Sequence, residues 1–227
     1  MFNIIHDIIN MKIGDIMSEQ IINNFYFGRA IYIVLIVLFA FSFINDLKKK
    51  DKININKYLN IKKINICILF KYLFLSFIIR IILEQIVTYM PFTTTNIQIP
   101  SNVFEIAVEF ITTCIFAPIF EEIIFRFGIY KKLNKKLNII LTMIITSVIF
   151  AIIHFYNIDG SIILIGISLV WNYLFYKTDN LIYPILLHFF HNIYALSDNL
   201  LEFSNYWYIL LFISILGYII STKKQKN

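Results

Sequence analysis

Long apolar runs alternate with short polar connections along the whole chain, and about seven of the runs approach the roughly 20 residues that a bilayer-spanning helix needs. The first extends from about Ala30 to Ile44, the second from Ile66 to Met90 and the third from Val103 to Tyr130. The fourth covers about Asn138 to Phe155, the fifth Ser161 to Tyr176, the sixth Leu181 to Leu196 and the seventh Tyr206 to Ile220. This pattern predicts an all-α fold, a polytopic transmembrane helical bundle of about seven spans in a single domain over residues 25–222. Six or eight spans are the alternatives, because short spans and interfacial helices share one pattern. Residues 1–24 alternate Ile pairs with Asn, Asp and Lys, as expected of an interfacial amphipathic helix or a disordered leader. With Asp7, Asp15 and Glu19 and no small-residue cleavage site, they do not read as a cleavable signal peptide.

Of the 227 residues, 59% are hydrophobic and 15% charged, an imbalance that the polar surface of a soluble domain could not hide. The net charge of +6 does not suggest nucleic acid, since the lysines cluster between apolar runs instead of lining one basic face. They carry topology instead. Lys48, Lys49, Lys50, Lys52, Lys57, Lys62 and Lys63 follow the first span, and Lys131, Lys132, Lys135 and Lys136 follow the third. Lys177 follows the fifth, and Lys223, Lys224 and Lys226 follow the seventh. The intervening connections are uncharged, as at Pro91 to Pro100, or acidic. The positive-inside rule then puts the N-terminus outside and the C-terminus in the cytoplasm. The expected location is the cell membrane, with lipids around the chain and no nucleic-acid partner. Cys67 and Cys114 fall inside apolar runs and read as buried thiols without a disulfide.

Ionisable groups inside a span are costly and mark function by default. Glu121 and Glu122, in Ala-Pro-Ile-Phe-Glu-Glu-Ile-Ile-Phe-Arg, lie about 13 Å of helix from the lysines that end the third span. Adjacent helical residues diverge by about 100°, so Glu122 faces Arg126 one turn on while Glu121 points elsewhere. A structural ion pair accounts for Glu122 and leaves Glu121 unexplained. Two carboxylates so close in an apolar setting are not both comfortably ionised, which suits one of them to general-base work while Arg126 orients the other. Arg80 and Glu84 share a face of the second span as a further pair. His154, in Phe150-Ala-Ile-Ile-His154, and His188 with Asn192, one turn apart on the sixth span, complete the polar set. His191 points off their face, toward a neighbouring helix or an interface. Buried in lipid, these groups find their simplest partners in one another.

Three ordered motifs, Glu121-Glu122-Ile-Ile-Phe-Arg126, Phe150 to His154 and His188 to Asn192, resemble those of the CAAX prenyl protease type II family, the CPBP or Abi intramembrane proteases. Ala117-Pro118 before the glutamates and Tyr176-Lys-Thr-Asp-Asn-Leu181 before the last motif agree, and the resemblance covers about Thr112 to Tyr194. One departure is Phe127 between Arg126 and Gly128, where the family usually has Gly directly after Arg. The resemblance implies a protease-like core at about 103–197 and an endopeptidase in which Glu121, helped by His154, activates water. It also implies that His188 and Asn192 donate to the oxyanion while Glu122 and Arg126 orient the site. Its substrate is a peptide or protein, lipidated or not, and it uses no cofactor. A zinc ion on Glu121, His154 and His188 is the competing mechanism, although His-Glu-x-x-His does not occur. A non-catalytic scaffold or immunity factor on the same fold is the alternative function, and a small proton-coupled transporter without inverted repeats ranks last. Counted from Asn138, His154 lies about 24 Å from the inner membrane face, deeper than Glu121 and His188.

Overall fold

The computed structural model describes residues 25–89, 103–154 and 158–201. These fold into helices, with no strand among the described residues. In chain order they are α1 (Phe25–Asp51), α2 (Ile66–Val87), α3 (Val103–Leu133), α4 (Ile139–Ile152), α5 (Ile158–Thr178) and α6 (Ile182–Leu201). Helices α1, α2, α3 and α5 are long and apolar enough to cross a membrane, and α4 is a shorter apolar helix. The leader at 1–24, the connection at 91–100 and the seventh run at 206–220 lie outside the described residues.

Several boundaries differ from those expected. Helix α1 continues through Lys48, Lys49 and Lys50, and α3 through Lys131 and Lys132. Lysine is a good helix former, and its charge is favourable at the C-terminal end of a helix dipole, so these clusters extend the helices instead of ending them. Helix α2 stops at Val87, three residues before Met90. Helix α5 begins at Ile158 and ends at Thr178, and α6 continues to Leu201. Two helix starts have a local cause in sequence: Asn65 accepts from the backbone of Cys67 and Ile68 at the head of α2, and Asn138 from Leu141 at the head of α4, which satisfies amide donors the first turn leaves open.

Helix α5 packs against α2, α4 and α6, and α1 packs along α3. One apolar cluster joins Leu69, Leu73 and Phe77 of α2, Phe125 of α3, Phe150 of α4, Ile167 and Trp171 of α5, and Leu187 of α6. A second joins Ala40 and Leu47 of α1 to Tyr58, Phe127, Phe175 and Leu181. Val34, Leu38, Phe41, Ile82 and Ile144 stay exposed, which in a bundle of this composition is the lipid-facing surface. The displaced Phe127 is wholly buried, its ring against Tyr58 at 5.4 Å. Gly128, one position later, keeps the close approach: a Cβ there would stand 2.7 Å from the Phe43 ring of α1.

The connections after α1, α3 and α5 meet at one end of the bundle. Lys132 pairs with Asp46, Lys131 with Asp179 at 2.5 Å, and the Leu181 amide with the Tyr58 carbonyl at 2.7 Å. Asn180 bonds the backbone of Asn60 in both directions. The flank Tyr176 to Leu181 therefore staples the basic connections together.

Candidate active site

The glutamates sit on a short α-helical stretch of α3, Ala117–Glu122, between two π-helical segments, Phe110–Phe116 and Ile123–Tyr130. Pro118 has no N–H, so the carbonyl four residues back loses its helical donor. The Ala117 amide instead reaches Thr112, five residues back. Thr112 and Thr113 turn their hydroxyls onto the carbonyls of Val108 and Glu109, side-chain bonds that compete with the regular ladder. Such widened turns re-aim side chains and recur at functional sites.

Glu122 and Arg126 are both fully buried and bound face to face. Arg126 Nη1 donates to Oε1 of Glu122 at 3.0 Å, and its Nε lies 3.0 Å from Oε2 as an ion-pair contact, so the pair is held by one charge-assisted hydrogen bond and a close charge contact. Its remaining nitrogen donates to Ser168 Oγ of α5 at 2.7 Å. The guanidinium also lies over the rings of Phe150, at 4.8 Å, and Trp171, at 5.4 Å. Glu122 Oε1 accepts a second bond from His188 Nδ1 at 3.0 Å, and the His188 ring stacks on Trp171 at 4.7 Å. Glu122 thus fixes both the position and the tautomer of His188.

Glu121, buried and one position earlier, turns away from Arg126 toward α1 and the end of α4. Its Oε2 is 3.4 Å from His154 Nε2 and 3.9 Å from His188 Nε2, and its Oε1 accepts from the Tyr32 hydroxyl of α1. His154 Nδ1 lies 2.6 Å from the Phe150 carbonyl. A carbonyl only accepts, so Nδ1 carries a hydrogen and Nε2 is the nitrogen that exchanges a proton with Glu121. Phe150, the aromatic of its motif, underlies the site, touching Arg126, His154 at 4.5 Å and His188 at 5.7 Å. Two carboxylates, one guanidinium and two imidazoles balance to neutrality when the histidines share one proton, the condition a low-dielectric site favours.

The structure therefore brings together Glu121, Glu122, Arg126, His154 and His188. Asn192 lies a turn beyond His188, where its amide nitrogen donates to the Thr113 carbonyl at 2.6 Å, leaving its second N–H for another acceptor. His191 points away, as its helical position requires, with Nε2 2.9 Å from Ser76 and its ring stacked on Phe77 of α2. Arg80 and Glu84 form their pair at 2.6 Å, with the guanidinium over Tyr194 at 4.2 Å. The depth mismatch of His154 closes: counted as α-helix to Leu133 and back to Ile139, Glu121 and His154 lie about 18 and about 22 Å from those ends, and two side chains span the difference. Tyr32, Ser168 and Trp171 were not singled out from sequence. Ser168 and Trp171 are three apart in an apolar span, a faint signal, and Tyr32 is one of 14 tyrosines.

Glu121, His154 and His188 are also the residues that a zinc ion would use. Behind each histidine stands an acceptor, the Phe150 carbonyl or Glu122, as is usual behind metal-bound imidazoles. Even so, no group of three His, Cys, Asp or Glu side chains among the described residues has the spacing to hold a metal ion.

Fold and site together define a multi-helix membrane protein with a carboxylate–histidine centre buried among its apolar helices. Residues 103–194, from the start of α3 to the second turn past His188, match the model of the family described as type II CAAX prenyl endopeptidase Rce1-like. Over this segment, which is less than half of the chain, the chain is similar to the CAAX protease, or CPBP, family, a family of proteases. No curated protein and no solved structure matches the chain.

Proposed function

We propose that the chain is an intramembrane endopeptidase in which Glu121 is the general base. The observation that carries this reading is the convergence of Glu121 Oε2 on His154 and His188, while Glu122 is held by Arg126. A water between Glu121 and His154 loses a proton to the pair as its oxygen attacks the scissile carbonyl. His188, with Nδ1 donating to Glu122, carries the shared proton on Nε2 and donates it as a hydrogen bond to the oxyanion. Asn192 adds its uncommitted N–H, and donors of this kind lower a barrier by about 2.7 to 4 kcal/mol each. When the tetrahedral intermediate collapses, the C–N bond breaks and the proton held by Glu121 and His154 passes to the leaving amine. Glu122, Arg126 and Ser168 position the site. No metal or cofactor takes part in this reading.

The basic connections that gather at one end of the bundle are assigned to the cytoplasm, with the N-terminus outside, in the cell membrane. Glu121 lies in the half of α3 nearer that end, so the substrate is a peptide or protein segment, lipidated or not, that enters from the cytoplasmic side among membrane lipids. The test is quantitative terminal-peptide proteomics on host membranes carrying wild type or Glu121→Gln at matched levels. New termini that appear with wild type and vanish with Glu121→Gln, a loss of about 10²- to 10⁴-fold for a missing general base, support the reading and name the substrate. Identical profiles, with Glu121→Gln rescuing a deletion strain, replace it with a scaffold or immunity role.

A further inference from the structure

Helix α1 lies outside the segment that the family match covers, yet one of its faces is turned to the site. Arg29, Tyr32, Ile36, Ala40, Phe43 and Leu47 recur at steps of three and four, the spacing of a single helical face. Each of these positions is accounted for by α3 or by burial. Arg29 Nε is 2.6 Å from Glu109, Ile36, Ala40 and Leu47 are buried, and Phe43 closes over Gly128. Between these anchors the Tyr32 hydroxyl donates to Glu121 Oε1.

The two oxygens of Glu121 are thereby divided. Oε2 faces both histidines, and Oε1 faces α1. A glutamate has three side-chain torsions, the last of them broad, and a general base needs its accepting oxygen fixed near the reacting proton. From this division we infer that Tyr32 is a positioning residue: its hydroxyl anchors Oε1 of Glu121 so that Oε2 is the oxygen presented to His154, His188 and the water. Arg29–Glu109 on one side and the Phe43–Gly128 seat on the other fix the rotation of α1 about its axis, which aims the phenol. The inference rests on the reading of Glu121 as the base, and it makes α1 part of the catalytic architecture.

The test uses the full chain. Wild type, Tyr32→Phe, Glu121→Gln and, as a control on the same helix, Tyr26→Phe are reconstituted in lipid nanodiscs and treated with dicyclohexylcarbodiimide. The adduct at residue 121 is followed by mass spectrometry, thermal unfolding is recorded, and cleavage is measured in host membranes by the terminal-peptide assay. Tyr32→Phe keeps the ring and removes the one hydroxyl. It is expected to label Glu121 several-fold faster and to cleave about 10- to 100-fold more slowly, the worth of one hydrogen bond to a charged group, while still unfolding cooperatively with a melting temperature only a few degrees below wild type. Tyr26→Phe is expected to match wild type in all three measurements. Unchanged labelling in Tyr32→Phe overturns the anchoring whatever the activity. Faster labelling with wild-type cleavage, where Glu121→Gln is inactive, overturns the positioning role. Wild-type cleavage by Glu121→Gln instead overturns the assignment of the base, while the labelling still decides whether Tyr32 holds Oε1.

Discussion

Arg126→Met removes a guanidinium that no solvent reaches. Arg126 is fully buried, engages both oxygens of Glu122 at 3.0 Å and donates to Ser168 at 2.7 Å. Methionine keeps much of the unbranched volume and leaves the Glu122 carboxylate buried with His188 Nδ1 as a remaining donor. Breaking a buried pair from one side costs about 3 to 5 kcal/mol, which raises the unfolded population by about 10²- to 10⁴-fold at 1.4 kcal/mol per decade. The double variant Glu122→Gln/Arg126→Met removes both charges together, and the side-chain carbonyl oxygen of the introduced glutamine still accepts from His188. Replacing a buried pair whole is often close to neutral, so the double variant is expected within about 1 kcal/mol of wild type, with a coupling energy of at least about 2 kcal/mol, large for contacting residues. The assay is reversible unfolding in mixed micelles as the detergent denaturant is increased, followed by circular dichroism. Arg126→Met within about 1 kcal/mol of wild type, or a double variant no more stable than Arg126→Met, refutes the claim that this pair is dry and mutually compensating. Both variants are expected to lose cleavage, because Arg126 fixes the side chain at position 122 from which His188 takes its orientation.

Gly128→Ala sets a Cβ 2.7 Å from the Phe43 ring and is expected to destabilise by about 1 to 3 kcal/mol, the usual range for overpacking. Phe43→Leu in the same chain recovers most of the loss, and the same unfolding assay reads both; equal losses with and without Phe43→Leu would place the strain elsewhere. Cleavage is expected to survive EDTA and 1,10-phenanthroline, measured by the same terminal-peptide products, and a loss that zinc restores would assign Glu121, His154 and His188 to a metal.

The composition made the helical membrane fold legible, because runs of this length and apolarity leave the backbone no other way to satisfy its hydrogen bonds in lipid. The centre of the site was legible for the same reason. Glu121, Glu122, Arg126, His154 and His188 are polar groups in places where polarity is costly, so each stood out against its span. Helix ends were less legible, since lysine both marks a membrane boundary and extends a helix, and the two effects pull the assigned end of α1 and α3 in opposite directions. The π-helical turns around the glutamates left no pattern beyond Pro118 and the two threonines. Ser168 was hidden because a hydroxyl in a span ordinarily bonds its own backbone; nothing in sequence says that this one takes Arg126.

Helix α1 shows why a partner can be invisible when its residues are ordinary for their setting. A tyrosine in a span is amphipathic and inexpensive in a membrane, so Tyr32 carries no penalty that would announce a role, unlike the glutamate it meets. The three-and-four spacing from Arg29 to Leu47 was present in the sequence, but α1 is apolar nearly all round, and an apolar helix in lipid shows no contrast between a packed face and a lipid-facing one. That contrast came from Glu109, Glu121 and Gly128 on α3, each of which needs something specific opposite it: a cation, a donor and a ring with no Cβ in its way. The first helix was therefore readable from the third. The same reasoning gives the Tyr32 experiment its weight, since a hydroxyl with no cost in lipid and no part in the site has no reason to be missed when it is removed.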